Sequence, residues 1–127
     1  MKRVVVLVAV LAAACSGSTT GPTANKAYEE TMQGSVSSFG TTSHNLTTPR
    51  GGNLTISLSS TSAGDLDLYL TPQGCTTPTA CTMLAKSDSA GGSERILRTV
   101  TNGEAFKVWV DNFETRPMNY SLSIRIE

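Results

Sequence analysis

The feature that most constrains the fold is an alternation of apolar and polar side chains, which recurs along short segments of the chain. Successive side chains of a β-strand point to opposite faces, so each of these segments presents one apolar face. No helical periodicity competes with this pattern. Four one-faced strands imply a shared core, and the alternation is clearest over residues 53–59, 65–70, 106–111 and 120–126.

Weaker alternating segments fill the gaps between the clear ones, and turn residues separate them at intervals of roughly 8–12 residues, as in all-β domains. These weaker segments are residues 30–36, 43–48, 82–87 and 94–100. About eight antiparallel strands, each apolar on one face, predict a β-sandwich of two packed sheets, with a closed barrel as the alternative. Asn102-Gly103, a dipeptide typical of hairpin turns, precedes the segment that starts at Phe106.

The N-terminus has the pattern of a lipoprotein export signal over residues 1–14, followed by Cys15 as the lipidated residue. The alternatives are a plain secretory signal and a transmembrane anchor, but the apolar run is shorter than the roughly 20 residues that span a bilayer. Residues 15–27 are poor in apolar side chains and predict a flexible tether, so the domain is assigned to residues 28–127. This organisation predicts a lipid-anchored protein of the bacterial cell envelope. Ser16 after the cysteine favours the outer membrane.

Charge and cysteine content narrow the classes of partner. The chain has 10 basic and 10 acidic residues, and loss of Lys2 and Arg3 with the signal leaves a slight negative excess. With no basic run, we expect no nucleic-acid partner. Setting Cys15 aside leaves Cys75 and Cys81, which we expect to form a disulfide in an oxidising compartment. A zinc site is the alternative, but two cysteines and one distant histidine fall short of four ligands.

Acidic side chains mark one candidate metal site. Asp65 and Asp67 share a strand face, and Asp88 follows in a nearby loop, with Glu94 or Asp111 as further oxygen donors. Such a group could supply ligands to calcium, which takes six to eight oxygens. The alternative is a solvated strand edge on which the aspartates accept hydrogen bonds from a turn.

Three other side chains are candidates for binding or catalysis. Trp109 points away from the core by alternation, and we expect an exposed ring that, together with Tyr69, offers a platform for a sugar or a protein. The alternative is a ring that simply covers the sheet or that the loop over residues 112–118 covers. His44 is the only histidine, at an inward or half-buried position, so any histidine-based hydrolysis depends on it. No Gly-x-Ser-x-Gly motif accompanies it.

Four segments together, residues 44–58, 64–70, 103–110 and 119–124, resemble the bacterial pre-peptidase C-terminal domain. The most recognisable is Gly64-Asp65-Leu66-Asp67-Leu68-Tyr69-Leu70, an aspartate-rich start to a leucine and tyrosine strand. His44 departs from the pattern, since the family usually has an aromatic residue there. The resemblance implies a calcium-associated, jelly-roll-like β-sandwich of the kind often appended to secreted peptidases and related to collagen-binding modules.

These observations favour a non-catalytic, lipid-anchored module that binds an extracellular protein or polysaccharide, or that assists a secreted peptidase. One alternative is a passive structural surface lipoprotein without a specific ligand. The other is a small hydrolase that uses His44. Because one fold supports many functions, the resemblance constrains the fold more than the activity.

Overall fold

The computed structural model describes residues 26–127, and all of its regular elements are β-strands. They are β1 (Tyr28–Val36), β2 (Thr41–Thr47), β3 (Gly52–Ser60), β4 (Leu66–Pro72), β5 (Ala85–Ser87), β6 (Ser93–Val100), β7 (Ala105–Asn112) and β8 (Met118–Ile126). Each overlaps one of the predicted segments, so the all-β prediction is confirmed. No helix in this part of the chain has the length and apolar character of a membrane span. The predicted signal, Cys15 and the tether up to residue 25 lie outside the described residues.

The strands form two antiparallel sheets of four strands each. The β8 sheet has the order β1-β8-β3-β6, and the β7 sheet has the order β2-β7-β4-β5. Only β4 and β5 are consecutive strands within one sheet, because every other connection crosses to the opposite sheet. This strand order is that of a jelly roll. The predicted β-sandwich is therefore confirmed, with the jelly-roll-like topology that the family resemblance implied.

Two predictions of local structure are wrong. Asn102-Gly103 does not close a β-hairpin, because β6 and β7 on either side of it belong to different sheets. Gly103 has a φ of +82°, which glycine adopts readily, so the dipeptide makes a tight turn between sheets. Strand β5 is limited to Ala85–Ser87 instead of residues 82–87. The reason is that residues 73–84 form a loop, closed by a disulfide, before the strand begins.

The apolar faces of the two sheets meet in a single core, as the alternation predicted. Several of its side chains, from alternate positions of β3, β4, β7 and β8, have no exposed surface: Leu54, Ile56, Leu66, Leu68, Leu70, Val108, Val110, Leu122 and Ile126. Burial of one such side chain contributes about 1.5–3 kcal/mol to folding. The core therefore fixes the face that each strand turns outward.

One end of the sandwich collects four of the connecting loops, residues 37–40, 61–65, 88–92 and 113–117. It lies opposite the end at which the chain enters β1, since Tyr28 pairs with Ile126 and Val36 pairs with Met118. We term it the far end. At about 3.3 Å per residue, the nine residues of β1 separate it from Tyr28 by nearly 30 Å.

Candidate binding cleft over Trp109

The outer face of the β7 sheet carries several of the residues that the sequence singled out. Alternation turns Trp109 and Asp111 of β7 to the outside. In the register with β4, Tyr69 lies opposite Trp109 and Asp67 lies opposite Asp111. The structure thus brings the predicted ligand-binding pair together with two of the acidic residues.

Trp109 lies on the predicted face, but the expectation of an exposed ring is wrong, since only 6% of the residue is accessible. Its indole N–H donates a 2.8 Å hydrogen bond to Oγ1 of the fully buried Thr71. The ammonium of Lys107 lies 5.2 Å from the ring centroid, within cation–π distance. Alternation gives the face on which a side chain lies but not what another segment places beside it, and here a loop that is bonded to Lys107 lies beside the ring.

That segment is the loop over residues 73–84, termed the disulfide loop. Cys75 and Cys81 form the predicted disulfide, with their Cα atoms 5.9 Å apart, so the zinc alternative is wrong for this pair. The carbonyl oxygen of Cys75 accepts a 2.6 Å hydrogen bond from Nζ of Lys107. Lys107 therefore contacts both the loop and the indole ring, and it holds the loop against the sheet.

A cleft of about 450 Å³ opens between the disulfide loop and the edge strand β2, with Trp109 among its walls. Its lining residues are Thr41, Thr42, Ser43, Thr76, Thr77, Pro78 and Trp109. The volume falls within the range of roughly 300–1,000 Å³ that is typical of small-ligand sites. The hydroxyl groups of the walls suit a polar ligand such as a sugar, whose own hydroxyls they can hydrogen-bond, while the largely covered indole ring contributes only a small apolar part of the wall.

Sequence reasoning identified Trp109 but missed the walls of the cleft on β2 and on the disulfide loop. Threonine and serine are abundant throughout the chain, so nothing distinguished Thr76 or Ser43 from other hydroxyl residues. One signal was available. The disulfide closes the short segment from Cys75 to Cys81 into a compact loop directly after β4, which keeps that loop near the sheet.

Tyr69 and Asp67 interact with each other on the outer face. The hydroxyl of Tyr69 donates a 2.6 Å hydrogen bond to Oδ2 of Asp67. Burial and this carboxylate raise the pKa of Tyr69 well above its ordinary value, so the phenol stays neutral. Burial also raises the pKa of Asp67, the tyrosine hydrogen bond opposes that change, and neighbouring acids such as Asp65 add to it. A ligand role for Tyr69 stays a prediction.

The predicted calcium ligands each contact other groups. Oδ1 of Asp65 accepts a 3.0 Å hydrogen bond from the N–H of Gly91, and Asp88 forms an ion pair of 2.5 Å with Lys86. Glu94 is buried and accepts hydrogen bonds from two serine hydroxyls. Within residues 26–127, no three His, Cys, Asp or Glu side chains form a group that could hold a metal ion. Calcium binding stays a prediction. It is tested by comparing the melting temperature with added calcium and with a chelator, and an unchanged value contradicts it.

His44 belongs to a polar contact that links the two sheets. Its Nε2 lies 2.6 Å from the hydroxyl of Tyr120, and the two rings meet edge to face with centroids 5.9 Å apart. His44 comes from β2 and Tyr120 from β8, so the contact joins one sheet to the other. The hydrogen bond of the imidazole goes to a phenol and not to a serine hydroxyl. This geometry does not favour the serine nucleophile that the hydrolase alternative requires.

We expect the folded state to lose stability as pH falls, through His44. Burial lowers the pKa of His44, and the charge of Glu30 only partly opposes it, so the unfolded chain binds the proton more readily. The contribution of neutral His44 to the free energy of unfolding is complete above the ordinary histidine pKa of about 6.5. It declines as pH falls through that value toward the lower pKa of His44 in the folded state. Denaturant unfolding at pH 7.5 and 5.5 measures it, with His44→Gln as the control. An equal pH dependence in the two proteins contradicts the prediction.

Comparison with solved structures reveals several similar folds. This chain is similar to PliG of Aeromonas hydrophila, a periplasmic inhibitor of g-type lysozyme, with a TM-score of 0.59 and 13% identity. The similarity covers 80% of this chain and 88% of PliG. The shared feature is the fold. The pre-peptidase C-terminal domain of Bacillus anthracis collagenase has a TM-score of 0.59 at 15% identity, over 76% of this chain and 88% of that domain.

A third similar structure is the Yersinia pseudotuberculosis-derived mitogen, with a TM-score of 0.58 and 21% identity over 79% of this chain and 86% of the other. No protein-family model and no curated protein matches the chain. The pre-peptidase-like fold is therefore supported by structure, and membership of that family stays a prediction.

Proposed function

We propose that this chain is a non-catalytic, lipid-anchored accessory module of the bacterial cell envelope, which binds an extracellular polysaccharide or protein. The observation that carries the proposal is the cleft beside Trp109. It combines an indole ring fixed by Thr71 and Lys107 with hydroxyl walls on a strand and on a disulfide-closed loop. Fixed walls favour binding, because little conformational entropy is lost when the ligand enters.

Other observations support the accessory role. His44 is engaged with Tyr120, which disfavours the hydrolase alternative. Two of the similar structures are an inhibitor of an enzyme and a domain of a collagenase, and the first is described as periplasmic. An accessory module at the envelope is consistent with both descriptions, and assistance to a secreted peptidase is one form that the role can take.

The anchor is a separate part of the proposal. Export and acylation at Cys15 attach the domain to a membrane, the outer one where the organism has one, through residues 15–27. Mass spectrometry of the protein made in a bacterial host tests it. We expect a mature chain that begins at a diacylated Cys15, and an unmodified thiol there contradicts the anchor.

Binding in the cleft is tested through Trp109, the only tryptophan of the chain. Because its ring lines the cleft, a ligand that enters changes the fluorescence emission. We expect a saturable change with one member of a panel of soluble envelope polysaccharides that includes peptidoglycan fragments, or with a secreted protein fraction. Thr77 is exposed on the disulfide loop, and Thr77→Arg is expected to weaken the binding at least about tenfold by filling the cleft.

The matched control is Ser123→Arg, which places the same side chain at an exposed position of β8 in the opposite sheet. It should leave the binding unchanged. If the emission responds to no polysaccharide and to no secreted protein, the passive structural lipoprotein is the better account. Equal loss in Thr77→Arg and Ser123→Arg places the binding outside the cleft and also contradicts the proposal.

A further inference from the structure

The far end of the sandwich exposes two phenylalanines on neighbouring loops. Phe39 is 70% exposed in the loop between β1 and β2, and Phe113 is 51% exposed directly after β7. Both line a small cleft of about 130 Å³. The other residues around it are Gly40, Thr41, Asp111 and Asn112. This volume is below that of ordinary small-molecule sites and corresponds to a single long side chain.

The two loops are held together rigidly below the rings. Asn112 is 3% exposed, and its side-chain amide donates hydrogen bonds to the carbonyl oxygens of Ser37 at 2.9 Å and Arg116 at 2.8 Å, one in each loop. The N–H of Phe39 donates to the carbonyl oxygen of Glu114 at 3.1 Å. Both aromatic rings are therefore presented from a fixed backbone, which lowers the entropy cost of binding a partner.

Phe39 also has a strained backbone. Its φ is +48°, which makes it the only non-glycine residue with a positive φ within residues 26–127. A bulky side chain is rarely found in the left-handed region because its Cβ atom clashes there, whereas glycine adopts this conformation without that cost. The exposed ring gains little from burial to offset this cost. A costly and exposed phenylalanine is typical of a residue retained for binding.

The charge at the far end is complementary to a basic partner. Six of the ten acidic residues of the chain lie at this end, although Asp67 and Glu94 are buried and Asp88 is paired with Lys86: Asp65, Asp67, Asp88, Glu94, Asp111 and Glu114. The basic residues nearest to them are three: Lys86, Arg95 and Arg116. Asp111 lines the cleft between Phe39 and Phe113, and its Oδ1 atom is buried and accepts no hydrogen bond from residues 26–127.

We propose that the far end docks a protein partner that inserts a lysine or arginine side chain between Phe39 and Phe113, beside the carboxylate of Asp111. The two ring faces attract a cation, and the carboxylate pairs with it. A membrane surface fits this end less well, because its acidic excess opposes anionic lipid headgroups and β1 separates it from the end at which the chain enters the domain. The inference goes beyond the cleft beside Trp109, with which this surface shares only Thr41.

The proposal is tested with a random dodecapeptide library displayed on phage and panned on the full chain. Peptides that contain lysine or arginine should be enriched. A synthetic copy of the strongest should bind at least about tenfold more weakly to Phe39→Ser, Phe113→Ser and Asp111→Asn. Replacing its basic residue with norleucine or citrulline should cause a similar loss. Leu97→Ser is the matched control, because Leu97 is 66% exposed on β6 and should not contribute.

Phe39→Gly separates a binding role from a structural one. Relief of the left-handed backbone should raise the melting temperature by at least about 2 °C, while the peptide affinity falls as in Phe39→Ser. Thr77→Arg should leave this affinity unchanged, so failure here is distinct from failure of the proposed cleft. Four results overturn the proposal. They are no enriched peptide, enriched peptides without basic residues, binding that survives the phenylalanine variants, and partition onto phosphatidylglycerol vesicles that those variants abolish.

Discussion

Replacing Gly34 with valine is expected to lower the melting temperature by roughly 4–24 °C, since overpacking a core costs about 1–3 kcal/mol and each kcal/mol is worth roughly 4–8 °C in a domain of this size. A Cβ atom on Gly34 would lie 2.4 Å from both Cζ and the hydroxyl oxygen of Tyr120. That ring is 2% exposed and is bonded to His44, so it has no free space into which to move. Thermal unfolding followed by circular dichroism measures the change.

Gly74 provides the matched control, because a Cβ atom there meets nothing within 4 Å. Gly74→Val should change the melting temperature by no more than about 2 °C. A second comparison uses Tyr120→Leu, which removes the clashing atoms and should make the further change Gly34→Val much less costly. If the effects of Gly34→Val and Tyr120→Leu are simply additive, the two residues are not coupled and the explanation is wrong.

The contact among Gly34, Tyr120 and His44 shows where sequence reasoning ends. Alternation correctly placed Tyr120 on the inward face of β8, and it placed His44 at a half-buried position of β2. The register of β1 with β8 then sets Gly34 directly opposite Tyr120. That register and the approach of β2 from the other sheet are tertiary facts. No local pattern in the sequence encodes them.

The strands were predictable because their period is local, whereas their connections were not. Each predicted segment overlaps a strand, since burial of one face requires alternation wherever the strand lies in the fold. The turn at Asn102-Gly103 was recognised, but the same dipeptide can join two strands of one sheet or of two. The jelly-roll order came from the family resemblance, not from the spacing of the segments.

In the candidate sites, too, the features that depend on local sequence were predictable and those that depend on tertiary packing were not. The disulfide between Cys75 and Cys81 was predictable from counting cysteines, and the outward direction of Trp109 from alternation. The cleft required knowing where the disulfide loop folds. The exposed ring of Phe39 was not singled out, because its left-handed backbone and its proximity to Phe113 depend on how two loops meet.

Trp109→Ala is expected to destabilise the domain by about 3–5 kcal/mol, the usual cost of deleting a large buried aromatic side chain. The ring is 6% exposed, and its loss also removes the bond to the buried Thr71 and the contact with Lys107. Trp109→Phe keeps an aromatic ring and loses the indole N–H, so it should cost about 1–2 kcal/mol. Urea unfolding measures both.

Because typical domains are stable by only about 5–15 kcal/mol, the alanine variant is expected to be too unstable for a binding test, which is why the cleft is better probed at Thr77. A cost below about 1 kcal/mol for Trp109→Ala would mean that the disulfide loop does not cover the ring, and the cleft would then be an open platform of the kind that the sequence alone predicted.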